Sequence, residues 1–218
     1  VLIDHIGRKL PFGDRSIDII VASHPDADHI SGLPALFERY DIDLLITNGA
    51  DDESPIYAAL FNAAADTPIH AARAGETIMI EDGVQLEIVH PTHLDADGDR
   101  NNESVSLRLV YGDFSLLLTG DAELEAEREM VRSKRPLIST VYKAGHHGSN
   151  SSSSAPFLAA VQPQIAIISV GADNSYGHPH EAVLARLAEG KTAVLRTDEL
   201  GTIELITDGK VMWWWAGR

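Results

Sequence analysis

The sequence predicts an α/β fold built on mixed β-sheets. Short apolar runs rich in β-branched residues alternate with helical segments, in the order strand, loop, helix, strand that α/β proteins follow. Two pairs of runs are instead joined by tight turns, Glu81–Val84 and Gly112–Asp113, which predict antiparallel hairpins. Because hairpins and crossover helices occur in one chain, we expect the sheets to contain both parallel and antiparallel strands.

The individual elements are predicted from periodicity and from the residues that begin or end them. Ser54-Pro55 begins a helix, because serine caps a helix well and proline suits its first turn. Val1–Asp4 has the composition of the middle of a strand. The other predicted strands are Ser16–Ala22, Asp43–Thr47, Thr77–Ile80, Gln85–Val89, Val105–Tyr111, Phe114–Leu118, Thr140–Lys143, Ile165–Ser169, Ala193–Arg196, Thr202–Ile206 and Lys210–Trp214. The predicted helices are Leu33–Tyr40, Ile56–Ala65, Ala122–Ser133, Ala155–Val161 and Glu181–Glu189.

The composition bounds the class of protein. With 218 residues, of which 44% are hydrophobic, the chain can form one large domain over residues 1–218. No run approaches the roughly 18 apolar residues of a membrane-spanning helix, so we expect a soluble piece. The chain starts without methionine in a strand-like run, from which we expect a domain excised from a longer protein. The absence of cysteine excludes disulfides, thiolate ligands and cysteine-based partners.

The net charge restricts the classes of molecule that the chain can bind. A formal net charge of −16 argues against broad electrostatic binding of nucleic acid, because that affinity rests on lysine and arginine side chains that neutralise phosphates. A phosphate-containing substrate would need local cations. Bound metal ions are one source of such charge.

Two histidines and two carboxylates fall within six residues directly after the predicted strand Ser16–Ala22. They are His24, Asp26, Asp28 and His29. Neutral imidazole and ionised carboxylate both bind divalent ions, and the end of a strand is where open α/β proteins place their chemistry. Alternatively, the two aspartates cap the next helix and the histidines are solvated, but a cap needs one carboxylate and no histidine. We therefore predict a metal site.

Two further loops follow apolar strands and offer ligands. Asp121 comes after a glycine turn, and taken alone it is better explained as the N-cap of the helix beginning at Ala122. His146 and His147 lie between two glycines, which permit close backbone approach and place the imidazoles where a metal or a substrate can meet them. A solvated turn is the alternative for the histidine pair. The interpretation of Asp121 as a metal ligand is favoured only by the presence of these histidines in the other loops.

A fourth loop holds His178, which could be a ligand or a general acid. His180 more plausibly flanks the helix that begins at Glu181, and Asn174 could be a turn residue or a substrate contact. His90 and His93 are interpreted as ordinary satisfied or solvated histidines.

Two other features are interpreted as structural. Asp95–Asp99 resembles the start of a calcium loop but has glycine at loop position 4 and Ser106 at position 12, so it is predicted to be an acidic surface loop. Trp213–Trp215 could be core or a docking surface, and core is favoured for at least one face.

These motifs resemble a known family. The run from His24 to His29 resembles the His-x-His-x-Asp-His signature of the metallo-β-lactamase fold, with Asp26 where the second histidine commonly stands. Thr119-Gly120-Asp121 is similar to the bridging carboxylate of that fold, and Leu2-Ile3-Asp4 to its first-strand aspartate. More narrowly, residues 1–207 resemble the C-terminal hydrolase domain of the ComEC competence family. The matching stretches are Ser23–His29, Asn101–Ser104, Leu117–Asp121, Gly145–Ser149 and Asn174–His180.

The resemblance implies an αββα sandwich of two mixed β-sheets flanked by helices, with the first strands of the family lacking and the four loops meeting along one edge. It implies a metal-dependent phosphodiesterase, a nuclease that degrades the non-transported strand during DNA uptake. The substrate would be single-stranded DNA, and the partner would be the membrane channel portion of the same full-length chain. The domain would be a soluble part of a bacterial cell membrane protein on the extracytoplasmic side.

The resemblance also implies roles for individual residues around one or two divalent ions, manganese or zinc. His24 and Asp26 would hold the first ion and Asp28 and His29 the second, and Asp28 is also expected to be catalytic. Asp in place of His at position 26 favours manganese. The remaining roles are a bridging ligand (Asp121), one closing ligand (His146 or His147), a proton donor or phosphate contact (His178), a catalytic cation (Lys143) and substrate contacts (Asn102, Ser149 and Asn174).

Two other functions remain open at this point. A hydrolase with the same fold and metals could act on a small phosphodiester or a lactone, which the charge of −16 favours. A non-catalytic domain could guide DNA or dock on the channel. The oligomeric state is left open.

Overall fold

Helices and strands alternate along the chain as the sequence predicts, so the α/β class is confirmed. The computed structural model describes residues 2–94 and 98–217. Most of the predicted acidic loop Asp95–Asp99 therefore lies outside the described residues. Two units can be distinguished in the chain, Val1–Ala72 and Arg73–Arg218.

Every predicted strand after Asp4 and every predicted helix is present, with ends that differ by no more than three residues. The helices are α1 (Leu2–Lys9), α2 (Ala27–Ile30), α3 (Pro34–Phe37), α4 (Pro55–Ala63), α5 (Leu124–Ser133), α6 (Ala155–Val161), α7 (Glu181–Glu189) and α8 (Thr197–Leu200). The strands are β1 (Ser16–Val21), β2 (Asp41–Thr47), β3 (Ile69–Ala71), β4 (Thr77–Met79), β5 (Gln85–His90), β6 (Ser106–Tyr111), β7 (Phe114–Leu118), β8 (Val141–Lys143), β9 (Ile165–Ile168), β10 (Ala193–Arg196), β11 (Thr202–Thr207) and β12 (Met212–Gly217). The short α2, β3 and α8 were not predicted, because three or four residues carry too little periodicity.

The first unit contains a three-stranded parallel sheet in the order β1-β2-β3. Its core includes Ile20, Leu45 and Leu60, which are buried. The helix α4 begins as predicted, since Ser54 accepts a hydrogen bond from the backbone N–H of Tyr57 at 3.3 Å. The described strands of this sheet are all parallel, so the expectation of mixed pairing does not hold in this unit.

The N-terminal segment corrects a prediction. Leu2–Lys9 is the helix α1, whereas the strand-like composition of Val1–Asp4 predicted a strand. The apolar residues Ile3, Ile6 and Leu10 recur every three or four positions and pack against the core of the first unit. This helical spacing outweighs the strand-like composition of the first residues. Asp4 therefore lies on a helix, and its assignment as a first-strand aspartate is wrong.

The second unit contains a seven-stranded mixed sheet in the order β10-β9-β8-β7-β6-β5-β4. Strands β4 to β7 pair antiparallel and strands β7 to β10 pair parallel, so both predicted hairpins are confirmed. The helices α5, α6 and α7 contribute Met130, Phe157 and Leu187 to a core that also holds Leu117 and Tyr142. Among the described residues, no helix is long and apolar enough to cross a membrane.

The hairpin β11–β12 forms a separate two-stranded sheet and corrects a second expectation. Trp213, Trp214 and Trp215 are 48%, 45% and 52% exposed, so neither face of the strand is core. A two-stranded ribbon offers no second layer to cover its side chains.

A buried network ties the end of β8 to the loop behind it. Tyr142 is fully buried, and its hydroxyl accepts a hydrogen bond from the backbone N–H of Gly145 at 2.9 Å and shares another with Ser153 Oγ at 3.1 Å. Burial raises the pKa of Tyr142, so the hydroxyl stays protonated. Glu127 of α5, 1% exposed, accepts hydrogen bonds from the backbone N–H groups of Ser153 and Ser154. These bonds fix the loop that precedes α6.

We expect Tyr142→Phe to lower the free energy of unfolding by roughly 1–3 kcal/mol, because the buried N–H of Gly145 loses its acceptor. Urea denaturation measures the change. The matched control is Tyr176→Phe, since Tyr176 is 78% exposed and its variant should unfold like the parent chain. Equal stability of the two variants would contradict the structural role of the Tyr142 hydroxyl.

Candidate metal centre

Two groups of candidate ligands lie at one edge of the sheet of the second unit. Strands β7 and β8 are parallel neighbours, with Leu118 in register with Lys143 at their ends. Asp121 follows β7 by three residues, and His146 and His147 follow β8 by three and four. Because the carboxyl ends of parallel strands meet at one edge of a sheet, these side chains are brought together.

The turn Gly145–Gly148, called the histidine turn below, has an uncommon backbone conformation. His146 and His147 have φ values of 45° and 53°, in the left-handed region, which costs on the order of 1 kcal/mol for each residue. The N–H of His146 donates to the carbonyl of Gly120 at 3.2 Å, which ties the turn to the loop of Asp121. Gly148 has φ +81°, and a Cβ there would lie 2.7 Å from Pro179, so only glycine fits.

Hydrogen bonds determine which ring nitrogens of the histidines carry protons. His147 Nδ1 lies 2.7 Å from the carbonyl oxygen of Ser169, which can only accept, so Nδ1 carries the proton and Nε2 the lone pair. His146 Nδ1 lies 3.0 Å from Glu123 Oε1, with the same consequence. The Nε2 atoms of His146 and His147 lie 3.8 Å and 3.6 Å from Asp121 Oδ2. Three donor atoms therefore converge in the second unit.

In the first unit, the loop after β1 brings together His24, Asp26, Asp28 and His29. His24 Nε2 lies 3.9 Å from Asp26 Oδ2, and His29 Nε2 lies 3.5 Å from Asp28 Oδ2. The two imidazole rings are 4.2 Å apart between centroids. The hydroxyl of Ser23 contacts Nδ1 of both rings, at 3.1 Å and 3.5 Å, and can accept from both, which would leave each Nε2 as a ligand atom.

The capping alternatives for these aspartates are not what the structure shows. Asp26 stands at the N-cap position of α2, yet its side chain makes no capping hydrogen bond. The residue at the N-cap of α5 is Glu123, two positions after Asp121, so the interpretation of Asp121 as a cap is wrong. The side-chain oxygen of Asn102 serves that helix instead, accepting from the N–H groups of Glu123 and Ala126 at 3.1 Å and 3.3 Å.

The donor chemistry of both sets fits a divalent ion. Each set combines imidazole nitrogen with carboxylate oxygen, the ligands used for zinc and manganese. Two ligands of one ion, each about 2.1 Å from it, lie at most about 4.2 Å apart, and every nitrogen–oxygen distance given above falls below this value. These four pairs are farther apart than hydrogen-bonded atoms, and an ion between the two atoms of a pair could contact both.

His178 lies beside the histidine turn. Its ring centroid is 5.7 Å from that of His146 and 5.0 Å from that of His180, and it stacks on Tyr176 at 5.8 Å. Burial lowers the pKa of His178, and the charges of His180, His146 and His147 act in the same direction. A neutral His178 near neutral pH can accept a hydrogen bond or a proton.

The predicted substrate contacts have structural partners within the loops. Asn174 donates to the carbonyls of Gly171 and His178 and accepts from the N–H of His178, so it closes the turn that carries that histidine. Ser149 is buried, and its hydroxyl bonds to that of Ser151 at 2.9 Å. Lys143 is the last residue of β8.

Two groups that support the histidines were missed by sequence reasoning. Glu123 binds His146 and also accepts from the hydroxyl of Ser151 at 2.8 Å. The carbonyl of Ser169 binds His147. The carboxylate could have been suspected from its place two residues after Asp121, whereas a backbone acceptor leaves no trace in the sequence.

Comparison with known proteins identifies relatives. The Metallo-beta-lactamase superfamily profile matches residues 4–172. The chain is 34% identical over 210 residues to ComE operon protein 3 of Bacillus subtilis (strain 168), covering 91% of this chain and 26% of that protein. It is 37% identical over 193 residues to Competence protein ComA of Neisseria gonorrhoeae, covering 88% and 26%. Against Recombination protein 2 of Haemophilus influenzae it is 30% identical over 199 residues, covering 90% and 23%. The chain thus spans about a quarter of the length of these curated relatives.

A solved structure supports the fold. The crystal structure of a "putative metal-dependent hydrolase" from Parabacteroides distasonis matches with a TM-score of 0.53 and 14% identity, covering 85% of this chain and 78% of that one. The resemblance to competence proteins that the motifs indicated is confirmed by the sequence matches. Because the superfamily profile extends over most of the chain, this protein belongs to the metallo-beta-lactamase superfamily.

Proposed function

We propose that this chain is a metal-dependent phosphodiesterase that acts as a nuclease on single-stranded DNA during DNA uptake. Membership of the metallo-beta-lactamase superfamily supports a metal-dependent hydrolase. The relatives named for competence support a role connected with DNA uptake. The cleavage of single-stranded DNA is the specific part of the proposal.

One observation carries the proposal. His146 and His147 each have Nδ1 bound to an acceptor, and each directs Nε2 to within 3.8 Å of the Asp121 carboxylate. Metal-binding histidines are commonly oriented in this way by an acceptor on the other ring nitrogen. The left-handed backbone of both residues is also typical of functional sites.

We further propose that both donor sets take part in binding one or two divalent ions, as the family resemblance implies. In this proposal His24, Asp26, Asp28 and His29 are ligands together with Asp121 and the histidine pair. A bound divalent ion supplies Lewis-acid charge that stabilises a phosphoryl group as negative charge grows on its oxygens.

The other polar residues receive roles consistent with their surroundings. His178, close to His146, is proposed to bind the phosphate by donating a hydrogen bond from the N–H of its neutral ring. Lys143, at the end of β8, is proposed to contact the phosphate as a point charge. Asn174 would act by holding the turn of His178, and Asn102 by fixing the start of α5. Ser149 remains a proposed substrate contact.

The donor set also bears on which metal is bound. Asp26 stands where a second histidine is common in the resembling signature, so the first ligand pair has one nitrogen and one oxygen. Replacing a nitrogen ligand by oxygen makes a site harder, which shifts its preference from zinc toward manganese. We therefore propose manganese as the preferred ion, with zinc as the alternative.

The setting in a longer protein is likewise a proposal. The matched relatives are about four times as long as the matching segment. We propose that residues 1–218 act as one hydrolase domain attached to a membrane channel on the extracytoplasmic side. The channel would present a single strand to the domain.

A small ester substrate is favoured by one observation. The net charge of −16 repels a polyanion, whereas a small phosphodiester or lactone meets little of this field. We therefore keep a small-ester hydrolase as the second candidate function.

We expect the purified chain to hydrolyse both bis-p-nitrophenyl phosphate and single-stranded DNA when manganese is added, and a chelator to abolish both activities. Asp28→Asn and Asp121→Asn should each lower the rate by about 10² or more, because an anionic ligand is lost. Asp113→Asn, in the exposed turn between β6 and β7, is the matched control and should keep full activity. Cleavage of the small ester without cleavage of DNA would favour the second candidate. Stoichiometric metal with no turnover of either substrate would indicate a non-catalytic domain.

We expect Glu123→Ala to weaken metal binding by about 10- to 100-fold, because His146 loses the acceptor that orients its ring. Competition with a chromogenic chelator measures the affinity. Glu189→Ala, an exposed carboxylate at the end of α7, should leave the affinity unchanged. Unchanged affinity in a folded Glu123→Ala variant would argue against His146 as an oriented ligand.

A further inference from the structure

The second unit contains a small acidic cavity that the proposed hydrolase centre does not use. Its volume is about 40 Å³, room for an ion with a water molecule, since one water needs roughly 10–15 Å³ by such a measure. Two histidines and four carboxylates are among its lining residues, namely His90, His93, Asp99, Glu103, Glu125 and Glu129. Glu125 and Glu129 stand four residues apart on α5 and so share one face of that helix.

His90, the last residue of β5, is buried and directs a nitrogen lone pair into this cavity. Its side chain is 3% exposed, and its Nε2 lies 2.6 Å from the carbonyl oxygen of Asn102. Because a carbonyl only accepts, Nε2 carries the proton and Nδ1 carries the lone pair. Among the described residues, Nδ1 has no hydrogen-bond partner.

The atom that faces this lone pair is itself an acceptor. Glu129 Oε2 lies 3.8 Å from His90 Nδ1 and accepts a hydrogen bond from the hydroxyl of Thr92 at 2.8 Å. Two acceptors cannot bond to each other, but two ligands of one ion can lie up to roughly 4.2 Å apart, so an ion between these atoms could contact both. The other carboxylates of the cavity add negative charge, and a cation would offset their mutual repulsion.

We propose that this cavity is a second divalent-cation site, in which His90 Nδ1 and Glu129 are the central ligands. A nitrogen ligand among carboxylates favours a transition ion such as zinc, cobalt or manganese over calcium or magnesium. The ion would join the end of β5 to α5 and stabilise the second unit. Its residues are distinct from the ligand sets of the hydrolase centre, so the proposal does not depend on the proposed function.

The test uses the absence of cysteine from the chain. In the variant Glu129→Cys, titration with Co²⁺ should produce a saturable cobalt–thiolate charge-transfer absorption with a stoichiometry of one. No other residue of the chain can produce this band, so it reports only on this cavity. Arg128→Cys, the exposed neighbour on α5, is the matched control and should give no band.

A second change tests the histidine. Adding His90→Gln to Glu129→Cys should weaken the cobalt affinity about tenfold or more, because the buried nitrogen ligand is lost. In the chain without cysteine, Glu129→Gln should bind one equivalent of zinc fewer after dialysis. If Glu129→Cys does not fold, Glu125→Cys on the same helix face takes its place.

Three results would overturn the proposal. The first is a folded Glu129→Cys variant that gives no band with Co²⁺, which would leave a bridging water as the occupant between His90 and Glu129. The second is an equal band in Arg128→Cys, which would indicate adventitious binding only. The third is an unchanged zinc stoichiometry in Glu129→Gln. Hydrolysis measured on the same samples reports separately on the proposed function.

Discussion

The parallel pairing of β7, β8 and β9 is the constraint on which the ligand set of the second unit depends. Leu118, Lys143 and Ile167 stand in register across these strands, so whatever follows each strand emerges at the same edge. Asp121 and the histidine turn come from the first two strands, and the carbonyl that orients His147 comes from the residue after the third. A shift of register by one residue would turn the side chains of a strand to the opposite face and separate these groups.

A buried polar network, formed around Gly145 and Ser153, stabilises the histidine turn. Its two left-handed residues each cost on the order of 1 kcal/mol, and an unsatisfied buried N–H would cost a similar amount or more. The Tyr142 hydroxyl and the Ser152 hydroxyl, which bond to the N–H and carbonyl of Gly145, offset this strain. Glu127 and Arg186 bind the backbone of Ser153 and so hold the network in place. The strained residues His146 and His147 are therefore supported by a network whose hydrogen bonds are mostly buried.

Acidic side chains have one effect when they are spread over the surface and another when they are clustered beside histidines. Spread over the surface, a net charge of −16 works against binding a polyanion. Beside His24 and His146, the carboxylates of Asp26 and Asp121 are candidate ligands that would attract divalent cations. The cavity of His90 and Glu129 gathers acidic side chains in the same way around a buried nitrogen. Bound cations would reduce the electrostatic repulsion at each of these places.

The sequence by itself determined most of the strand and helix order after Asp4, the two hairpins and the motif residues from His24 to His178, because period, turn residues and ligand types are local properties. It did not determine the state of the first residues, since the packing of Ile3 and Ile6 on the core of the first unit decided for a helix. Only the tertiary structure decided which nitrogen of His147 carries a proton, because its partner is a backbone carbonyl distant in sequence. Only the tertiary structure likewise revealed the surroundings of His90, which was predicted to be an ordinary satisfied or solvated histidine. Its burial and its spacing from Glu129 arise from packing between a strand and a helix that are far apart along the chain.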